Sequence, residues 1–141
     1  MVMAFRVEVV SPERVIYSGE ANMVITRTLE GGEVAFQAGH APFVGALVEN
    51  HTRVFQTDGE LVNMAVHRGF VEVHGDPTVV TILSDEAELA SEIDVEAVKA
   101  ELERHEHTLR HEDGEKEIAD ALAGKARAEA RLKASGYGFT A

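Results

Sequence analysis

The chain contains no cysteine, so a disulfide framework, a thiolate metal site and a nucleophilic thiol are all excluded. That absence suits a reducing compartment. Basic residues are scarce as well: 13 Lys and Arg stand against 25 Asp and Glu, for a formal net charge of −12 at pH 7. A surface of that sign argues against nucleic-acid phosphates and against direct binding to an anionic membrane, and points to basic or neutral protein partners. No apolar run approaches the ~20 residues needed to span a bilayer. Met1 to Val10 carries Arg6 and Glu8 among its apolar residues, unlike the core of a signal peptide or a targeting helix. Membrane contact is therefore expected only through other proteins. Catalytic motifs are missing too. There is no GxSxG and no P-loop, and Gly31-Gly32 lacks the helical pattern and lysine that a phosphate cradle requires. With no nucleophile–base pair or paired carboxylates to point to, no catalytic residue is assigned and the chain is read as a non-enzyme.

What is present divides into two halves. A chain of 141 residues holds one ordinary domain, or a small domain with an appendage. From Phe5 to Leu83 the apolar residues recur at period two and in short β-branched runs, broken by turn residues. Phe5, Val7 and Val9 alternate with Arg6 and Glu8; Val15 to Tyr17 and Ala21 to Thr28 follow as separate strands. Thr57-Asp58-Gly59-Glu60 between two alternating runs is a strong hairpin signal. Six of the eight aromatic residues lie in this half, which places the core here. The pattern predicts a β-sandwich or flattened barrel over residues 1–86.

One stretch of that half stands out, Glu33 to Phe43 (EVAFQAGHAPF). Gly39 is free to take φ > 0, and Pro42 disfavours the αR region at Ala41. The stretch reads as strand, rigid corner, strand.

After Leu83 the composition turns acidic and alanine-rich and the period lengthens, predicting a helical hairpin and tail over residues 87–141. Asp94 is the expected N-cap of a first helix running to about His111, with Val95, Val98, Leu102, His105 and Leu109 on one stripe. Gly114 breaks it. Glu115 to Ala134 forms the second helix, whose expected inward stripe is Ala119, Leu122, Ala126 and Ala130. Small residues bury little area at roughly 25 cal/mol per Å², and Gly124 costs about 1 kcal/mol of helix propensity. The hairpin is expected to be marginal alone and to need the sandwich or a partner.

Three constellations invite a functional reading. His107 and His111 are spaced i, i+4 with His105 nearby, but no third ligand or HExxH pattern accompanies them, so a solvated helical face is favoured over a metal site. Arg127 and Arg131 lie one turn apart, a spacing suited to gripping a phosphate or carboxylate, the plainer reading being a cationic face that pairs with the acidic first helix. The uncharged run Ala41 to Val48 and the doublets Val9-Val10, Val24-Ile25 and Val79-Val80 put apolar side chains on both faces of their strands. Part of that outer surface is expected under the helices and part under a partner. The tail from Ser135 to Ala141, with Tyr137 and Phe139 among glycines, is read as mostly without fixed structure.

Ordered blocks along the chain carry a resemblance. Val9-Val10-Ser11-Pro12-Glu13, Tyr17-Ser18-Gly19-Glu20, Gly39-His40-Ala41-Pro42, Gly69-Phe70-Val71-Glu72-Val73 and Val80-Thr81-Ile82-Leu83-Ser84-Asp85 precede an acidic helix and a helix ending Ala130-Arg131-Leu132. In that order and spacing the chain resembles the epsilon subunit of the bacterial F-type ATP synthase. The resemblance implies a sandwich of about ten strands with a C-terminal antiparallel helical hairpin, in the central stalk of the rotor. It implies the gamma subunit and the c-subunit ring as partners, the catalytic alpha/beta hexamer as a transient one, and a hairpin able to inhibit ATP hydrolysis. It also implies a peripheral position on the cytoplasmic face of the bacterial cell membrane. Contact with the ring and gamma is expected from Glu33, Gly39, His40, Ala41, Pro42 and Phe43. Some members bind ATP as a regulatory ligand through residues matching Ile93, Asp94, Arg127 and Arg131; here Ala97-Val98 replaces the Arg-Ala of their motif. Two further departures are Ala35, Gln37 and Ala38 before the corner, and His67-Arg68 where a small Ser-Gly pair is common. The alternative reading is a free-standing regulatory protein that senses nucleotide or metal.

Overall fold

A computed structural model describes residues 3–137. Strands β1 (Phe5–Val10), β2 (Val15–Thr28), β3 (Gly32–Phe36), β4 (Phe43–Leu47), β5 (Asn50–Gln56), β6 (Leu61–Val66), β7 (Gly69–His74), β8 (Val79–Ser84) and β9 (Ala87–Leu89) come first. A 3-10 turn (Ala90–Glu92) then leads into helices α1 (Val95–His111) and α2 (Glu115–Ala134). A sandwich followed by a helical hairpin is the expected order, and both helices keep their expected ends.

The main departure is β2, which runs unbroken through Ser18-Gly19-Glu20 for 14 residues instead of forming two strands. Gly19 pairs with Val7 and Ser18 with Glu8 across β1, so the neighbouring strand overrides the local turn preference. The N-terminal part of β2 joins β1, β8, β7 and β4 in one layer; its C-terminal part joins β3, β5, β6 and β9 in the other. Counted once in each layer, β2 reconciles nine observed strands with the ten implied by resemblance. β9 pairs with β6 and carries the sheet to Leu89, past the expected boundary at residue 86.

Between the layers lie Phe5, Val7 and Val9 of β1 with Phe36, Met64, Val71, Val80 and Ile82, all nearly or completely buried. Each such side chain contributes about 1.5–3 kcal/mol on leaving water. The polar residues in this core satisfy one another. Thr26 Oγ1 lies 2.9 Å from Thr52 Oγ1, and Thr52 donates to Asn50 Oδ1 at 2.7 Å.

Asp94 caps α1 by accepting the Ala97 N–H at 3.2 Å. The inward stripe of α2 is shifted from the expected one: Ala119 and Leu122 are exposed, Ala126 is half-buried, and Ala121, Ala128 and Leu132 are buried with Ala130. Alanines lie on several faces of this helix, so the sequence offers little apolar contrast from which to read a phase. Gly124 has a packing role, since a Cβ there would collide with the imidazole of His105 on α1. After α2, Ser135 and Gly136 form a turn and the Tyr137 N–H donates to Leu132 O at 2.9 Å, so the start of the expected loose tail is a closed helix end. Lys99 Nζ sits 4.4 Å from the Tyr137 ring centre. Phe139 and the rest of that tail lie outside the described residues.

Gly69 opens β7 where β8 crosses closest, and an added Cβ would overlap the carbonyl of Leu83. Substitution Gly69→Ala is expected to destabilise the fold by about 2–4 kcal/mol, measured as a lower urea midpoint at unchanged m-value.

Candidate functional site

Helix α2 has two working faces. Ala128 and Leu132 pack on Val98 and Leu102 of α1, with Ile93 and Val95 closing the cluster. The opposite stripe, which includes Arg127, Ala130, Arg131 and Ala134, lies over β5, β6 and β9. Arg127 meets Glu86 at 2.5 Å, and Arg131 meets Glu88 at 2.5 Å and Glu101 of α1 at 3.4 Å. The two arginines do grip carboxylates from one helical face, and those carboxylates belong to the chain itself. Of the residues expected beside them, Ile93 is packed into the helix–helix cluster and the Asp94 carboxylate is engaged in the α1 cap. His107 and His111 stack at 4.2 Å between ring centres, and among the described residues no group of three or more His, Asp or Glu is placed to hold a metal.

The link into α1 is fixed from the sandwich. Arg14 donates to both oxygens of Glu92 at 2.8 and 2.6 Å, and Glu92 Oε1 also accepts the Leu89 N–H at 2.9 Å. The Arg14 guanidinium, helped by that N–H, holds the Glu92 carboxyl at about 2.

The corner is built as its sequence suggests. Gly39 takes φ +84 and its N–H donates to Thr78 Oγ1 at 2.8 Å. His40 Nδ1 lies 2.8 Å from Ala41 O, and its exposed ring stands edge-on to Phe36 at 4.8 Å and to Phe43 at 6.3 Å. Ala41 and Pro42 are exposed, while Phe43 is half-buried against the core. A shallow hollow of about 470 Å³ opens beside the corner, lined by Gln37, Ala38, Gly39 and the Asp76–Thr78 turn. Glu33 is not in this group. It sits near the other end of β3, about 10 Å from Phe36 along the strand at 3.3 Å per residue, and its carboxylate pairs with Arg53 at 3.0 Å. Among the described residues β3 pairs only with β2, so Glu33 and the corner lie along one free sheet edge.

A further surface emerges only from the register. Ala46 lies opposite Phe70, Phe70 opposite Leu83, Leu83 beside Val10, and Val10 opposite Val15. These residues form a continuous apolar row across β4, β7, β8, β1 and β2. Phe70, Leu83 and Val15 are 57%, 50% and 60% exposed. The row occupies the outer face of the layer that the helices leave bare.

Comparison with known proteins identifies the family. A family model described as the ATP synthase, Delta/Epsilon chain, beta-sandwich domain matches residues 4–90. The ATP synthase epsilon chain of Brevibacillus brevis is 50% identical over 103 residues, 73% of this chain and 76% of that one. The chain belongs to the ATP synthase epsilon-chain family. The epsilon chain of Rhodococcus erythropolis is 39% identical over 126 residues, covering 89% of this chain and 95% of its own, so the relationship extends through the hairpin. A solved assembly of the Euglena gracilis mitochondrial ATP synthase contains a chain of the same fold, with a TM-score of 0.70, 24% identity, and coverage of 95% and 78%. A chain from the central stalk and c-ring structure of the Tetrahymena thermophila enzyme has a TM-score of 0.59 at 16% identity, covering 94% and 97%.

Within this epsilon-family chain, sequence reasoning missed Glu86 and Glu88, whose partners are more than 40 residues away. It also missed that His67 is fully buried. The apolar row left a trace in Val9-Val10 and in the uncharged β4, but its continuity required the register. Arg131→Gln would strand Glu88, whose side chain is only 15% exposed, and is expected to weaken hairpin docking by about 1–3 kcal/mol. Faster amide exchange along α2, at unchanged exchange in β1 and β8, would register the loss.

Proposed function

We infer that this chain is the non-catalytic epsilon subunit in the central stalk of an ATP synthase, transmitting rotation between the membrane-embedded ring and the catalytic headpiece. The observation that carries the reading beyond family membership is the apolar row that the hairpin leaves exposed. A row of that kind is costly to leave in water and is suited to a permanent protein contact. The gamma subunit is the partner assigned to it. The edge made by β3 and the corner, with Glu33, Gly39, His40, Ala41, Pro42 and Phe43, is assigned to the c ring. Among the described residues no helix is long and apolar enough to cross a membrane; the chain is held at the cytoplasmic face of the bacterial membrane by these two contacts.

The division of labour follows the division of the chain. The sandwich docks, and the hairpin is the regulatory arm able to reach the catalytic alpha/beta hexamer. ATP as a regulatory ligand on Arg127 and Arg131 would have to displace Glu86 and Glu88, so the ion-paired hairpin is the ATP-free form. A free-standing sensor is not favoured, because the relatives that match most of this chain are ATP synthase subunits.

Two outcomes test the reading. Phe70→Glu combined with Leu83→Glu places charge in the middle of the row and is expected to reduce retention on the gamma subunit by at least about tenfold, the scale of losing one interface hot spot. The circular dichroism spectrum should not change, and full retention would remove the row from the interface. Glu33→Ala with His40→Ala is expected to lower proton-driven ATP synthesis in reconstituted vesicles several-fold. Stability should fall by only about 1–2 kcal/mol, because Arg53, 28% exposed, loses its carboxylate partner while the core is untouched. Undiminished synthesis would argue against the ring assignment.

A further inference from the structure

His67 follows β6 directly and has no solvent-accessible surface. Its backbone N–H is satisfied by Ser84 Oγ at 3.1 Å and Glu86 O at 3.2 Å. Its ring is not: among the described residues neither Nδ1 nor Nε2 has a hydrogen-bond partner. Along β6, Met64 and Val66 enter the sandwich core while Ala65, equally buried, does not join that cluster. By alternation His67 shares the side of Ala65, the side that α2 covers.

The charged groups around the ring come from four places. Arg127 and Arg131 descend from α2, Glu86 comes from the β8–β9 link, Glu88 from β9, and Glu101 from α1. All three carboxylates are already engaged by the two guanidiniums. Glu49, one residue before the Asn50–Val66 pair, is likewise held by Arg68 at 3.6 Å, so a third cation in this place would be buried among carboxylates that are each already paired, which is unfavourable. Burial, reinforced by Arg127 and Arg131, pushes the imidazole down to about 3 from its ordinary 6.5.

The cover over His67 is thin. The stripe of α2 facing the sheet holds mainly alanine and ion pairs. Beside it a hollow of about 600 Å³ separates Arg27, Glu33, Glu49 and Arg53 from Glu129 and Lys133. Glu49 Oε2 and Arg53 Nε are buried near this hollow without partners among the described residues. Lifting α2 therefore gives up little apolar contact and returns several polar groups to water.

We propose that His67 is an acid-responsive latch on the helical hairpin: neutral, it lets α2 lie on the sheet; protonated, it drives α2 off while the sandwich stays folded. Docking is favoured fully above the ordinary histidine value and is lost progressively as pH falls from about 6.5 towards 3. With those two values, moving from pH 7.5 to pH 5.0 raises the undocked-to-docked ratio about thirtyfold. His51 lies in the same seam, its Nε2 donating to Asn63 Oδ1 at 2.7 Å, and is also lowered by burial. A chain without His67 therefore keeps a residual response of the same sign.

Amide hydrogen exchange on the full chain, corrected for intrinsic rates, reads the opening equilibrium even when the open form is rare. At both pH values α2 should be less protected than β1 and β8, and its protection should fall about thirtyfold between pH 7.5 and 5.0. In His67→Phe that fall should be clearly smaller, leaving only the residual response of His51. An equal fall in His67→Phe, no fall in the parent chain, or α2 and the β-strands sharing one protection factor would each overturn the proposal. If His67→Phe fails to fold, the His67 ring carbon resonance in the unsubstituted chain decides: it should remain that of neutral imidazole down to pH 5, and an ordinary titration near 6.5 would refute the latch.

Discussion

The fold depends on one strand serving two layers. β2 pairs with β1 through its first half and with β3 and β5 through its second, and touches β4 at Thr28. Because it is shared, neither layer completes its hydrogen-bonding without the other, and the apolar residues of both inner faces are held against one another. The parallel pairing of β1 with β8 and the approach of Gly69 to Leu83 are consequences of that closure. They position the outer face that carries Phe70 and Leu83.

The helices are held by a different kind of force. Between α1 and α2 the contact is apolar and close, with Val98, Leu102 and Leu132 in the seam and Gly124 admitting the His105 ring. Between α2 and the sandwich the contact is made by alanine, by guanidinium–carboxylate pairs and around an open hollow. Partly exposed ion pairs contribute modestly and fix orientation more than they add stability. The hairpin can therefore persist as a unit while its attachment to the sheet remains the weaker of the two contacts, which suits a regulatory arm on a docking body.

The two faces of the molecule divide along the same line. Helix α2 covers the outer side of β5 and β6, whereas Val15, Phe70 and Leu83 on β2, β7 and β8 stay exposed. The bare side offers an apolar surface, and the other side is covered by α2 through alanine and ion pairs. His67 belongs to the covered side. Its burial is tolerated because it stays neutral and because its neighbouring arginines already have carboxylates.

Much of this was legible in the residues. Alternation in β1, Asp-Gly at the β5–β6 turn, Gly39 and Pro42 at the corner, and Asp94 at the start of α1 act through neighbours a few positions away, so sequence alone determined them. Sandwich, hairpin and family were readable for that reason. Tertiary structure decided the rest. Whether Ser18-Gly19-Glu20 turned or continued depended on β1 lying alongside. The phase of an alanine-rich helix depended on the two surfaces it met. Which carboxylates Arg127 and Arg131 would hold, and whether His67 would see water, depended on pairings across more than 40 residues of chain. Local preference cannot encode such choices, because their energies exist only once distant segments are in contact.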